Sequence, residues 1–282
     1  IKIGFIGAGY MGYGMAHNLL KNKYKLSVIA HKNRKPIDKL IEQGAIESSS
    51  LKEIANFANV IVMCVTNTPI AIKIINEILP HLKASSLFID ITTHHSMGSI
   101  EVNNLLKLKN VRYVESPVMG GPVQAEQGVL GAIVGASNND FDESRNILMN
   151  FCKDVFHFGE IGMGAKTKLI SNFLSLGTAT FVIETLKAAN HLNIDLNKLY
   201  DVAKLGSGNS GALNRIADKA IEGDYKGYIF SVNNTLKDLT YINELLKNLP
   251  NAEKLSALVK SFYKKAADEG KGELLISELI KE

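Results

Sequence analysis

The residues best placed for chemistry at the start of this chain have no side chains. Gly7, Gly9 and Gly12 stand in "GFIGAGYMGYGMAHNLL", Gly4 to Leu20, directly behind an apolar run. Each glycine costs about 1 kcal/mol of helix or strand stability relative to alanine. Clustering them where a helix should begin implies that the backbone itself must come close to something. Gly7-Ala8-Gly9-Tyr10-Met11-Gly12 fits the spacing G-x-G-x-x-G. Between a strand and a helix, the first glycine makes the tight turn and the second admits a pyrophosphate. The third lets helix and strand pack, and the helix N-terminus offers N–H donors to the anion. A glycine-rich turn without a ligand fits the same six residues; the strand–turn–helix context favours a dinucleotide contacting all six.

A dinucleotide lacking a 2′-phosphate normally meets Asp or Glu at the end of the second strand, ~20 residues on. Here "AHKNRK", Ala30 to Lys35, is followed by no acid before Asp38. Lys32, Arg34 and Lys35 could pair with a 2′-phosphate, with Asn33 and Arg34 as the expected contacts. That favours NADP(H) over NAD(H); a solvated basic loop is the alternative.

Three further segments carry candidate chemistry. In "ESPVMGGP", Glu115 to Pro122, Gly120 and Gly121 expose N–H groups able to hold a carboxylate, and Pro117 stiffens the approach. A structural turn explains that segment as well. In "GMGAKTKLISN", Gly162 to Asn172, Lys168 and Asn172 share one helix face. A hydride leaving an alcohol carbon needs a group to take the hydroxyl proton. A lysine desolvated beside a nicotinamide can do so with a lowered pKa. On spacing alone, a surface lysine is the simpler account. In "TLKDLTYI", Thr235 to Ile242, Lys237 and Asp238 could reach a ligand or form an ion pair on a helix surface. The adjacent His94 and His95 have no further ligands at hand and read as solvated loop residues. No metal site is expected.

Parallel strands must position these residues. Ile1–Ile6, Leu26–Ala30, Val60–Val65, Leu87–Ile91 and Arg112–Glu115 are short apolar runs without alternation, as in a sheet covered on both faces. Met11–Lys21, Lys35–Gln43, Pro69–Leu79 and Ser99–Leu106 have helical spacing between them. This is the doubly wound α/β pattern of a Rossmann domain with a mostly parallel sheet. Ala132–Val134 and Val155–Phe158 read as two more strands around a helix near Asp142–Phe151. The loops "CVTNTP" and "DITTHH" follow the third and fourth strands, at the edge that lines the ligand crevice. Val65, Thr66, Asn67 and Thr93 are therefore further cofactor-contact candidates. Beyond "GEIGMGAK", Gly159 to Lys166, no strand is expected. Lys168–Asn190 reads as one long helix, followed by Leu196–Leu205, Leu213–Glu222, Phe230–Leu246 and Ala252–Glu269. The expected domains are 1–160, dinucleotide-binding, and 161–282, an all-α unit built on the long helix.

Composition excludes some partners. Lys+Arg 32 against Asp+Glu 28 gives +4, too weak and dispersed for nucleic acid but suited to a small anion. Cys64 lies in an apolar run and reads as a buried free thiol. With Cys152 it makes neither a disulfide framework nor a zinc spacing, which favours a reducing, cytoplasmic setting. No apolar stretch of membrane-spanning length and no signal peptide is read, so no membrane partner is expected.

"GFIGAGYMGYGMAHNL" resembles the N-terminal signature of the β-hydroxyacid dehydrogenases, which include 3-hydroxyisobutyrate dehydrogenase, tartronate semialdehyde reductase and the glyoxylate/succinic semialdehyde reductases. "ESPVMGGP" resembles that family's substrate loop D-A-P-V-S-G-G, with Glu115 in place of Asp and Met119 in place of a small hydroxyl residue. "GMGAKTKLISN" resembles its G-x-G-x-x-x-K-x-x-x-N, with the lysine at Lys168 rather than Lys166, and "TLKDLTYI" its late K-D-L. The resemblance implies hydride transfer between a nicotinamide cofactor and a small 3-hydroxy acid/semialdehyde pair. Lys168 would be the general acid/base and Asn172 its organiser. Met119, Gly120, Gly121, Lys168, Asn172 and Asp238 would surround a carboxylate-bearing substrate, and Lys237 would reach cofactor or substrate. The helical domain would support a homodimer or homotetramer. Two alternatives are an imine reductase of the same architecture, which replaces the lysine, and a non-catalytic NAD(P)-binding interaction module, which loses it. Lys168 argues against both.

Overall fold

The computed structural model of the protein describes residues 1–31 and 33–281; Lys32, one of the basic residues expected near a 2′-phosphate, lies outside them. The chain divides into two compact units, Ile1–Lys168 and Leu169–Glu282.

The first unit places β1 (Lys2–Ile6), β2 (Lys25–Ile29), β3 (Ile46–Ser48), β4 (Val60–Met63), β5 (Leu87–Asp90) and β6 (Arg112–Glu115) in one sheet. All neighbours are parallel, in the order β3-β2-β1-β4-β5-β6. Between the strands run α1 (Tyr10–Lys21), α2 (Lys35–Glu42), α3 (Leu51–Phe57), α4 (Thr68–Ile78) and α5 (Gly98–Lys107). The strands lack alternation because both faces are dry. Ile3, Phe5, Val62, Ile89 and Val114 pack with Met15, Leu19 and Leu40 on one face. Ile61, Met63 and Phe88 pack with Ile54, Ile75 and Val102 on the other. Strand order reverses between β1 and β4, so the loops leaving those strands flank the crevice of a doubly wound sheet.

Two short elements escape the sequence pattern. β3 has three residues, two of them exposed, and α3 has seven. A signal for α3 does exist. Ser50 Oγ accepts the Glu53 N–H, and the Glu53 carboxylate accepts the Ser49 N–H, a capping arrangement legible as S-x-x-E. The later strand-like runs do not extend the main sheet. β7 (Val118–Met119), β8 (Leu130–Val134) and β9 (Cys152–His157) form a separate three-stranded sheet, accompanied by α6 (Pro122–Gln127) and α7 (Asn138–Leu148). Within it β7 is antiparallel to β8, and β8 is parallel to β9.

The second unit is helical. It contains most of α8 (Met163–His191), then α9 (Leu196–Leu205), α10 (Gly211–Ala220), α11 (Val232–Leu245) and α12 (Pro250–Asp268). Its core joins Leu169, Leu176 and Ile183 of α8 to Ile216, Leu239, Ile242, Val259 and Tyr263. Asp195, Ser210 and Ser231 cap α9, α10 and α11 with side-chain oxygens. The expectation that no apolar stretch reaches membrane-spanning length does not hold for α8. By length and mean hydropathy, 1.4, α8 is long and apolar enough to cross a membrane. The lysines and polar residues of its first turns hid that in the sequence, and its apolar residues supply the core of this unit. Cys64 is half-buried rather than buried. Cys152 is the enclosed thiol, which burial pushes up to about 12.

Candidate active site

The glycine turn after β1 is built by close approach. Gly7 has φ +93°, and a Cβ there would fall 2.1 Å from the Cys64 carbonyl oxygen; a Cβ on Gly12 would fall 2.1 Å from the carbonyl oxygen of Gly7. Gly9 differs, because nothing lies within 4 Å of where its Cβ would be. It stands at the N-cap of α1 with no side chain over the helix end. Two glycines are thus explained by protein packing and the third by open space at a helix N-terminus. That cradle fits the pyrophosphate of a dinucleotide. Ala8 is buried, Tyr10 is 88% exposed and Met11 packs against the sheet core.

Beyond β2, Arg34 is already engaged. Its guanidinium meets Glu47 through Nη1 at 2.8 Å and Nη2 at 3.1 Å, and meets Asp38 through Nη2 at 2.9 Å. Both carboxylates hold the guanidinium charged, and Arg34 pulls the Glu47 carboxyl below its usual range. Asn33 Oδ1 accepts the Lys35 N–H. A 2′-phosphate at this loop would compete with Asp38 and Glu47 for Arg34. Of the residues after β4 and β5, Thr66 is exposed and Val65 and Thr93 are half-buried. Asn67 caps α4, its Oδ1 accepting the Ile70 N–H at 3.0 Å. His94 is not a solvated loop residue: it is 1% exposed. Its ring nitrogens lie against Asp90 and Thr68. Asp90, four residues earlier in the same segment, is a local signal for this; Thr68, 26 residues earlier, is brought there by the fold.

The segment from Glu115 to Gly121 grips the start of α8 at two points. Glu115, 1% exposed, accepts the N–H groups of Gly162 at 2.6 Å and Gly164 at 2.7 Å through Oε1, and of Ala165 at 3.3 Å through Oε2. These are first-turn donors that the helix cannot satisfy itself. One turn on, Lys168 is 8% exposed, and its Nζ donates to the Val118 carbonyl at 2.8 Å and to Met119 Sδ at 3.3 Å. The substrate-loop methionine therefore touches the candidate acid/base. Gly120 has φ +119°, and a Cβ there would meet Leu130 Cδ2 at 2.7 Å. The Gly121 N–H, expected to be open to a carboxylate, donates to Gln124 Oε1 at 2.9 Å.

Burial raises the Glu115 pKa above its ordinary value, against the pull of its backbone donors. A carboxyl raised in the folded state contributes stability below its unfolded pKa and loses it as pH rises through the folded value. The melting temperature of the unmodified protein minus that of Glu115→Gln should therefore fall as pH rises from about 4.5 to 7. Parallel Tm–pH curves for the two proteins contradict this assignment.

In the second unit Asp238 is the centre. It is 1% exposed, accepts from Asn172 Nδ2 at 2.7 Å, and pairs with Lys237 Nζ at 2.9 Å. Lys237 also lies over the Tyr241 ring. A buried carboxylate orienting an amide gives Asp238 a supporting place behind Asn172. No group of three His, Cys, Asp or Glu able to hold a metal occurs among the described residues.

Residues 2–159 match the family described as the NAD binding domain of 6-phosphogluconate dehydrogenase. Residues 162–282 match the one described as NAD-binding of NADP-dependent 3-hydroxyisobutyrate dehydrogenase. The chain is 27% identical to the 2-(hydroxymethyl)glutarate dehydrogenase of Eubacterium barkeri, over 100% of this chain and 94% of that one. It is 26% identical to glyoxylate/succinic semialdehyde reductase 1 of Arabidopsis thaliana, over 99% and 97%. The fold is that of a 3-hydroxyisobutyrate dehydrogenase from Salmonella typhimurium, with TM-score 0.91 at 24% identity over 100% of this chain and 99% of that one. With a glycine cradle in the first unit and both halves of the chain matched, the protein belongs to the β-hydroxyacid dehydrogenase family of NAD(P)-dependent oxidoreductases.

Proposed function

We propose that the protein interconverts a short 3-hydroxy acid and its semialdehyde, with NADP(H) preferred over NAD(H). The observation that carries this reading is the enclosed Lys168 ammonium, fixed 2.8 Å from the Val118 carbonyl beside the glycine pair of the loop. A nicotinamide dinucleotide held at the turn of Gly7, Gly9 and Gly12 would supply or accept the hydride. In the reducing direction Lys168 Nζ gives a proton to the carbonyl oxygen as it becomes a hydroxyl; in the oxidising direction it takes that proton back. A substrate carboxylate would replace Gln124 Oε1 on the Gly121 N–H. Asn172, one turn beyond Lys168 on α8, has its amide nitrogen held by Asp238, so its oxygen serves as the acceptor. Leu174 and Phe181 of α8 are 74% and 70% exposed, an apolar stripe that a second copy in a homodimer or homotetramer would cover.

A panel of semialdehydes and 3-hydroxy acids, assayed with both cofactors, tests the reading. Turnover of a semialdehyde with NADPH, at a higher kcat/KM than with NADH, is expected; no turnover of any member overturns it. Cofactor choice should follow Arg34. Arg34→Ala should raise KM for NADPH ~10-fold more than KM for NADH, because only the phosphate makes charge-assisted bonds to the guanidinium. Equal changes for both cofactors remove Arg34 from the phosphate site.

A further inference from the structure

The first unit contains a buried polar cluster that the proposed mechanism does not use. His94 and Thr68 are 1% exposed and Asp90 is 0% exposed. His94 Nε2 lies 2.8 Å from Asp90 Oδ2, and its Nδ1 lies 3.1 Å from Thr68 Oγ1. Proton bookkeeping fixes the roles. Asp90 Oδ1 accepts the Thr92 N–H at 2.9 Å, and Oδ2 also accepts the Tyr113 O–H at 3.3 Å. Burial beside Asp90 and Glu115 keeps the proton on Tyr113. With donors converging on it, Asp90 is the acceptor, so His94 carries its proton on Nε2. Thr68 Oγ1 accepts the His95 N–H at 3.3 Å and has its own proton for His94 Nδ1.

Carboxylate, imidazole and hydroxyl in this order are the parts of a hydrolytic relay. Here the hydroxyl is sealed in the interior, where no acyl carbon can reach it. Its effect is mechanical instead. Thr68 opens α4 directly after Thr66 and Asn67, and Asp90 ends β5 two residues before Thr92 and three before Thr93. A second link lies beside the first, the Val65 N–H donating to Thr92 Oγ1 at 3.2 Å. The loops leaving β4 and β5 are thus fastened to each other at two places. Both lie at the strand ends that border the dinucleotide crevice.

We infer that His94 is a positioning residue for the cofactor: through Thr68 and Asp90 it sets the spacing between Val65–Asn67 and Thr93, and with it the affinity for the nicotinamide dinucleotide. This rests on the cofactor occupying that crevice. Nothing in the chemistry of hydride transfer requires His94, so its loss should act on binding.

Calorimetric titration of NADPH and NADH into the purified protein tests the inference. His94→Asn and Thr68→Val should each weaken the Kd of the preferred cofactor ~10-fold, the loss of about one buried hydrogen-bond arrangement. Thr68→Ser, which keeps the hydroxyl, should bind within ~2-fold of the unmodified protein. Cofactor KM should rise more than kcat falls. A merely structural role predicts a lower Tm with an unchanged Kd, and that result in Thr68→Val overturns the inference even if His94→Asn does not fold. If the unmodified protein binds neither cofactor, the reading of the crevice as the cofactor site fails, and the inference fails with it.

Discussion

Lys168→Ala is expected to lower kcat by ~10²–10⁴-fold, the usual contribution of a positioned proton-transfer group. Affinity for the cofactor should stay within ~3-fold, because the interactions of Lys168 described above are with the substrate loop. The geometry sharpens the test. Nζ is held between the Val118 carbonyl and Met119 Sδ, so removing the amine leaves a gap at the loop end without touching the glycine turn after β1. Lys168→Arg separates charge from proton transfer. Arginine keeps the positive charge but holds its proton at any working pH, and its planar fork is bulkier than an ammonium. It should be about as inactive as the alanine variant. The check is steady-state kcat on the best substrate of the panel, with NADPH binding measured by calorimetry on the same preparations. A kcat near that of the unmodified protein in either variant removes Lys168 from the chemistry.

What could be read in advance was local. The glycine turn was legible because Gly7 and Gly12 answer constraints within a few residues or across one strand pair, as Gly7 does against Cys64. The doubly wound order was legible because two dry faces leave unbroken apolar runs, as in Val60–Met63. Residues defined by distant partners were not legible. His94 looked like a solvated loop residue because Thr68, one of its two ring partners, lies 26 positions away. Glu115 reads in the sequence only as the residue standing in place of Asp in a substrate loop. Its carboxylate is spent on N–H groups 47 to 50 residues further on, at the start of the helix that carries Lys168. Arg34 looked open to a phosphate. Asp38, at i+4, could have warned otherwise, but Glu47 reaches it only through the fold of β3. In each case the residue itself is legible and its surroundings are not. The partner that restrains it is supplied by tertiary structure.

Met119 carries the prediction about substrate choice. Its side chain is half-buried on β7, and its sulfur sits 3.3 Å from Lys168 Nζ, so it borders the position where the reacting carbonyl would meet its proton donor. The resembling family places a small hydroxyl residue there. A thioether is a weak acceptor and donates nothing. A substrate hydroxyl brought beside it would exchange water for a poor partner, at a cost of about 1–3 kcal/mol, or roughly 10–100-fold in kcat/KM. Tartronate semialdehyde carries such a hydroxyl next to its carboxylate, and malonate semialdehyde is the same molecule without it. The unmodified protein should therefore turn over malonate semialdehyde with the higher kcat/KM, by roughly 10–100-fold. Met119→Ser also removes the sulfur contact from Lys168, so kcat can change for both substrates. The ratio between them isolates the hydroxyl, because each meets the same lysine. Serine can both donate to and accept from the substrate hydroxyl, and the ratio should shrink to within ~3-fold. If the unmodified protein instead prefers tartronate semialdehyde, Met119 does not face the substrate, and the placement of the Glu115–Pro122 loop over the reacting carbon is wrong.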